Sequence, residues 1–331
     1  MQTLDTTTGG PLLEAPAAAQ FAGQFDAVVD GIGRALVGKP DAIRLSLICL
    51  LSEGHLLLED VPGTGKTTLA KALAATIHGT TSRIQFTPDL LPSDVTGVTI
   101  FDQSVGAFEF HPGPIFASIV LADEINRASP KTQSALLEVM EESAVTVDGV
   151  TRPVGAPFMV IGTQNPIEQA GTYRLPEAQL DRFLLRTGIG HPDTDSALAI
   201  LGAVGTRASR TQVQPMLTTE TVGALVEQAS RVYVDPSILR YITGIVEATR
   251  TATGVGLGVS QRGAIGLLRT AKTLAASRGR HFVVPDDVKA LAEPVLAHRI
   301  SVLPEAEFNG LSAADVVTAV LREVPPPRSS S

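Results

Sequence analysis

The first chemical signal is the run Glu59-Asp60-Val61-Pro62-Gly63-Thr64-Gly65-Lys66-Thr67-Thr68, which follows Leu56-Leu57-Leu58 and opens onto an Ala/Leu-rich helix-forming stretch. Apolar strand, glycine-rich loop and helix, in that order, are how a chain cradles a polyphosphate. Gly63 and Gly65 let backbone N–H groups turn inward around phosphate oxygens, and the helix that follows offers its positive end to the same anion. Pro62, Thr64 and Thr68 complete the predicted nucleotide-binding loop. Lys66 supplies a point charge for the β- and γ-phosphates of ATP, and the Thr67 hydroxyl can ligate Mg2+. The strict spacing asks for glycine at position 60, where this chain has Asp60. Aspartate tolerates a left-handed backbone better than most residues, so the turn is expected to survive there.

Two further apolar runs end in polar groups of the right kind. Ile119-Val120-Leu121-Ala122 leads into Asp123-Glu124. At the carboxyl edge of a sheet beside the phosphate loop, Asp123 is placed to hold magnesium through its water, and Glu124 to polarise the water that attacks the γ-phosphate. Phe158-Met159-Val160-Ile161-Gly162-Thr163-Gln164 ends at Asn165, whose amide can bond both the γ-phosphate and that water.

These groups need a scaffold, and the pattern supplies one. Helical spacing at Phe21, Phe25, Val28, Val29 and Ile32, and again over residues 41–53, precedes the loop; a helix over 66–78 ends at Gly79. Strands are predicted near 83–86, 115–121 and 158–162 with helical segments between, the alternation of a mostly parallel α/β sheet. Residues 98–101 with 107–110, and 145–147 with 150–152 around Asp148-Gly149, read as two hairpins. They are either tools protruding from the core or ordinary edge strands. Beyond about residue 218 strands largely disappear, and helices are predicted over 221–232, 236–252, 261–277, 285–297 and 312–324. The expected organisation is a disordered tail over 1–17, an α/β core over 18–192, a smaller all-helical domain over 193–324 and a disordered tail over 325–331.

The 331 residues are 44% hydrophobic and carry a net charge of −8, which gives no overall attraction to nucleic acid or anionic membrane and favours protein partners. The only cysteine, Cys49, sits inside an apolar run and reads as a small buried hydrophobe. No lysine or arginine precedes Arg34 and no apolar stretch reaches spanning length, so a cytoplasmic protein without membrane insertion is expected.

The loop, Asp123-Glu124, Asn165 and the run Leu175-Pro176-Glu177-Ala178-Gln179-Leu180-Asp181-Arg182-Phe183 closely resemble the MoxR group of AAA+ ATPases. The runs from Asp123 to Glu138 and from Arg83 to Asp94 are similar to theirs too, and the resemblance covers the chain from about Val37 to about Glu323. It implies a P-loop AAA+ core followed by a helical lid, in a homo-oligomeric ring, usually a hexamer, with ATP at each subunit junction. Arg182 then resembles the arginine finger that reaches a neighbour's γ-phosphate, against a plain local Asp181–Arg182 ion pair. Arg262, in Val259-Ser260-Gln261-Arg262-Gly263, occupies the place of the second sensor, where it would contact nucleotide phosphate. Gln261 and Gly263 stand where the family has Pro and Ala, which predicts a looser helix start. Asp60 resembles a form the family tolerates, the hairpins resemble the helix-two insert and pre-sensor hairpin, and Arg127 gains no fixed role.

The resemblance implies chaperone-like remodelling of a protein client or adaptor, with a von Willebrand factor A domain as one candidate. A motor acting on DNA is an alternative disfavoured by the net acidity. A chelatase-type metal-insertion subunit stays open, since its ATPase core would be the same, while a non-enzymatic ATP-gated scaffold carries less weight because Lys66, Asp123, Glu124, Asn165 and Arg182 are all present.

Overall fold

The computed structural model describes residues 11–61, 63–104, 106–165, 173, 175–203 and 213–327. Pro62 lies outside them, as do residues 1–10 and 328–331 of the expected tails. The helical chain begins earlier than the expected tail allows: α1 (Ala15–Gly33) starts at a favourable N-terminal proline, and Leu13 before it is buried, its N–H donating to the Arg231 carbonyl at 2.9 Å. That packing anchors residues whose composition alone carries no periodic signal.

After α2 (Pro40–Leu51) come β1 (Leu56–Glu59), α3 (Lys66–Thr76) and β2 (Thr81–Gln85). A short α4 (Pro92–Thr96) leads into the hairpin β3 (Gly97–Asp102) and β4 (Ala107–Pro112), then β5 (Ile119–Asp123) and α5 (Pro130–Glu142). A second hairpin, β6 (Ala144–Val147) and β7 (Val150–Pro153), precedes β8 (Met159–Gln164), α6 (Glu177–Leu180) and β9 (Leu185–Thr187). The main sheet has the order β2-β5-β8-β1-β9 and is parallel throughout. Alternation along its strands splits the core into two faces. Leu56, Leu58, Ile119, Leu121 and Ile161 face the helices of one cluster, while Leu57, Val120, Ala122 and Val160 join Phe86, Leu136 and Phe183 in the other.

Both hairpins form separate two-stranded sheets, so they are not edge strands of the main sheet. The second turns through Asp148 (φ 52°) and Gly149 (φ 75°), the positive pair that a two-residue hairpin turn requires. On the first, Phe101 and Phe108 meet edge to face with centroids 5.2 Å apart, and both are exposed. The strand predicted at 115–121 is shifted: β5 starts at Ile119, because residues 113–118 form turns.

The described residues beyond β9 are mostly helical, with α7 (Thr194–Ala203), α8 (Thr219–Ser230), α9 (Pro236–Thr251), α10 (Gln261–Ser277), α11 (Pro285–Leu296), α12 (Pro304–Phe308) and α13 (Ala313–Glu323). One small exception is the antiparallel pair β10 (Val255–Leu257) and β11 (Ser301–Val302). The apolar faces of α8–α11 and α13 share one cluster with α1–α3 and one face of the sheet, so the two regions are packed together. Each fully buried side chain there, such as Phe21 or Leu267, contributes roughly 1.5–3 kcal/mol. Cys49 lies in the same cluster, where burial pushes its thiol pKa up.

Candidate active site

The carboxyl ends of β1, β5 and β8 open into a cleft of about 480 Å³, lined by Gly63, Gly65, Lys66, Thr67, Thr68, Asp123, Glu124 and Asn165 from the sequence-based set. Such strand ends are where ligands sit on an open parallel sheet. Gly63 (φ 87°) and Gly65 (φ 101°) adopt the left-handed backbone that their residue type permits, and Gly65 begins α3. The Lys66 ammonium donates to the carbonyls of Asp60 at 3.0 Å and Val61 at 2.8 Å, which hold it against its own loop.

Asp60 works differently from the expectation. Among the described residues, positive φ outside glycine occurs at Glu53, His78, Glu124, Ser143 and Asp148, not at Asp60. Its carboxylate serves instead as an acceptor. Oδ2 takes the N–H groups of Ile189 at 2.8 Å and Gly190 at 2.6 Å, and Oδ1 takes that of Val61 at 2.9 Å. Burial raises its pKa, and the N–H bonds outweigh that, leaving the carboxyl below its ordinary value. The phosphate loop is thereby tied to the segment after β9, which leads into α7.

Asp123 and Glu124 are fixed by their neighbours in the sheet. Thr163 Oγ1 donates to Asp123 Oδ1 at 2.6 Å and accepts the Glu124 N–H at 2.9 Å. Glu124 has φ 57° and ψ 51°, an unfavourable backbone for a glutamate that costs on the order of 1–3 kcal/mol. That turn sends its carboxylate back toward the cleft, where Gln85 donates to it at 3.1 Å and Arg127 pairs with it at 3.2 Å. The donors available to a cation, the Thr67 hydroxyl and the Asp123 carboxylate, are hard oxygens. No group of three or more His, Cys, Asp or Glu side chains suited to a metal occurs among the described residues. This fits magnesium, which takes one or two carboxylates and completes its shell with phosphate and water.

A second cleft of about 490 Å³ runs between the sheet region and the helices and holds the two predicted arginines. Arg182 pairs with Glu141 at 3.0 Å, and Arg262 pairs with the other oxygen of the same carboxylate. Asp181 does not pair with Arg182; it pairs with the buried Arg299 at 2.7 Å and accepts from Ser260 at 2.9 Å. Arg262 therefore stands beside Arg182, and the structure does not bring it to the phosphate loop of its own chain. Nor is the start of α10 loose. Ser260 caps it, and a Cβ at Gly263 would lie 2.4 Å from Val259 and 2.9 Å from the Arg299 side chain, so glycine there makes room for Arg299.

Arg83, Gln85, Thr163 and Gln164 also line the first cleft, and Glu141 joins the arginines; none was assigned a role from sequence. The available signal was the alternation Arg83-Ile84-Gln85, polar residues either side of one that reaches the core.

Residues 55–185 match the family model described as "ATPase family associated with various cellular activities (AAA)", and residues 247–320 match an AAA lid domain. The chain is 49% identical over 299 residues to the uncharacterized protein YeaC of Bacillus subtilis, covering 90% of this chain and 93% of that one. It is 40% identical over 306 residues to Chaperone MoxR1 of Mycobacterium tuberculosis, covering 90% and 81%, and 31% identical over 322 residues to Protein MoxR of Methylorubrum extorquens, covering 89% and 93%. A crystal structure of a protein from Cytophaga hutchinsonii assigned as an ATPase superposes with a TM-score of 0.89 at 39% identity, covering 95% of this chain and 98% of that one. With the phosphate loop, the paired carboxylates and the lid in place, the chain belongs to the MoxR family of AAA+ ATPases and is an ATP-hydrolysing enzyme.

Proposed function

We propose that the chain assembles into a homo-oligomeric, hexameric ring and uses Mg2+-dependent ATP hydrolysis to remodel or mature client proteins, in the manner of a cytoplasmic chaperone. The observation that carries the ring is the separation of parts. Lys66, Thr67, Asp123, Glu124 and Asn165 line one cleft, while Arg182 and Arg262 are held on Glu141 in another. A second subunit that presents its arginine cleft to the phosphate loop of the first would unite the two sets.

In that arrangement the loop amides and Lys66 hold the phosphates. Thr67 and Asp123 would hold magnesium, which neutralises charge on the β- and γ-oxygens when bound. Glu124 and Asn165 orient water. Its oxygen adds to the γ-phosphorus as the bond to the β,γ-bridging oxygen breaks, and its proton passes to Glu124 and on to solvent, giving ADP and phosphate. Arg182 and Arg262 from the neighbour neutralise the charge that develops on the transferring group.

The remodelling role is supported by the name of the 40% identical M. tuberculosis relative and by the two hairpins outside the main sheet, one tipped with exposed Phe101 and Phe108. A client or adaptor with a von Willebrand factor A domain is the first candidate. No helix of the described residues is long and apolar enough to cross a membrane. Steady-state phosphate release should collapse in Glu124→Gln, and that variant, loaded with ATP, should retain client on co-purification. Equal rates for the two proteins would overturn the role given to Glu124; salt-sensitive capture of single-stranded DNA in place of a protein would overturn the chaperone reading.

A further inference from the structure

We infer that Arg83 is a resident counter-cation of the magnesium carboxylate, which the metal must displace from Asp123, and that it thereby sets how far nucleotide binding depends on magnesium. The inference rests on the proposed roles of Asp123 and Thr67. β2 lies beside β5 in parallel register, with Arg83 opposite Leu121 and Gln85 opposite Asp123. Residues two apart in a strand share a face, so Arg83 and Gln85 both line the cleft while Ile84 between them is buried in the core. The Arg83 guanidinium meets Asp123 Oδ2 at 2.6 Å and donates to the Gln85 side-chain oxygen at 3.0 Å.

Asp123 is thus satisfied on both oxygens, by Thr163 on Oδ1 and by Arg83 on Oδ2. Lys66 does not take this place, because its ammonium is engaged by the loop carbonyls. A cation binding Asp123 through Oδ2 or its water shell has to break the Arg83 contact. The Arg83 side chain is 52% exposed, so it can swing away without disturbing the core. Until it does, it screens the Asp123 charge from the incoming phosphates. Arg83 therefore has two opposed effects: it helps metal-free nucleotide to bind, and it resists the metal.

The test is titration of a fluorescent ADP analogue against wild type, Arg83→Gln and Arg83→Lys, each in excess EDTA and in excess Mg2+. Removing the cation exposes Asp123 to the phosphates and frees it for metal, so Kd in EDTA should rise and the ratio Kd(EDTA)/Kd(Mg2+) should grow about fivefold, the upper end for a partly exposed ion pair. Arg83→Lys, which keeps the charge, should stay within about twofold of the wild-type ratio. A role confined to holding β2 in shape would weaken both titrations equally, and an unchanged ratio in Arg83→Gln would overturn the inference. Wild-type protein with no magnesium enhancement at all would instead overturn the proposed magnesium site on which the inference stands.

Discussion

Replacing Asp60 with glycine restores the strict phosphate-loop spacing, yet the structure requires that the change be harmful. The carboxylate accepts three N–H groups, from Val61, Ile189 and Gly190. Ile189 is only 5% exposed, so water cannot take over its N–H, and losing a bond to an ionised acceptor there costs about 2 kcal/mol. Gly190 is exposed and water substitutes in part, leaving about 1 kcal/mol. Glycine adds backbone freedom to the unfolded chain, roughly 0.5–1 kcal/mol more. Asp60→Gly should therefore lose about 3–4 kcal/mol in urea unfolding, and Asp60→Asn, which keeps one acceptor, about half of that. With the strap gone, the loop must be ordered by the ligand, which should weaken ADP about fivefold by fluorescence titration. If Asp60→Gly is as stable as wild type and binds ADP equally well, the account of Asp60 as a strap is wrong.

Three further outcomes follow from the geometry. His55 is buried, accepts the Val160 N–H on Nδ1 at 3.0 Å and so carries its proton on Nε2 toward the Met140 carbonyl, while burial pushes its pKa down to about 4. The unfolded chain binds that proton near pH 6.5, so stability should be complete above that pH and should decline toward pH 4 by about 3 kcal/mol, with His298, also depressed by burial, adding to the slope. Urea midpoints that stay flat across this window in wild type would contradict it, and His55→Gln should reduce the slope. Gly263→Ala gains about 1 kcal/mol of helix propensity but drives a methyl into Val259 and Arg299; the clash should win, with a net loss of about 1–2 kcal/mol in chemical unfolding. The proposed arginine-finger role across a subunit junction requires that Arg182→Ala bind nucleotide within about twofold of wild type yet hydrolyse it at least ~100-fold more slowly; parallel losses in both would place Arg182 at its own chain's nucleotide.

The parts of the site that follow one another along the chain are legible in the residues themselves. Gly63 and Gly65 can take positive φ where other residues resist it, Lys66 and Thr67 come next on the helix they start, and an apolar run ending in Asp123-Glu124 places its carboxylates at a strand end. Local backbone chemistry decides these, so a single sequence contains them. The left-handed backbone expected at Asp60 is absent, because its acceptors are used about 130 residues away, at Ile189 and Gly190, which no local pattern reports.

Sequence, then, determined the phosphate loop, the strand-end carboxylates and the division into an α/β core and a helical lid. Tertiary structure alone decided which charges meet. Arg83 reaches Asp123 because β2 lies beside β5 in one particular register, and a shift of one residue would send it to the other face. Arg182 and Arg262 share Glu141 because Asp181 binds both Arg299 and the Ser260 cap, drawing the start of α10 against the segment that carries Arg182. Those pairings join residues 40 to 121 positions apart, and only the folded chain brings them within the few ångströms over which a hydrogen bond or ion pair acts.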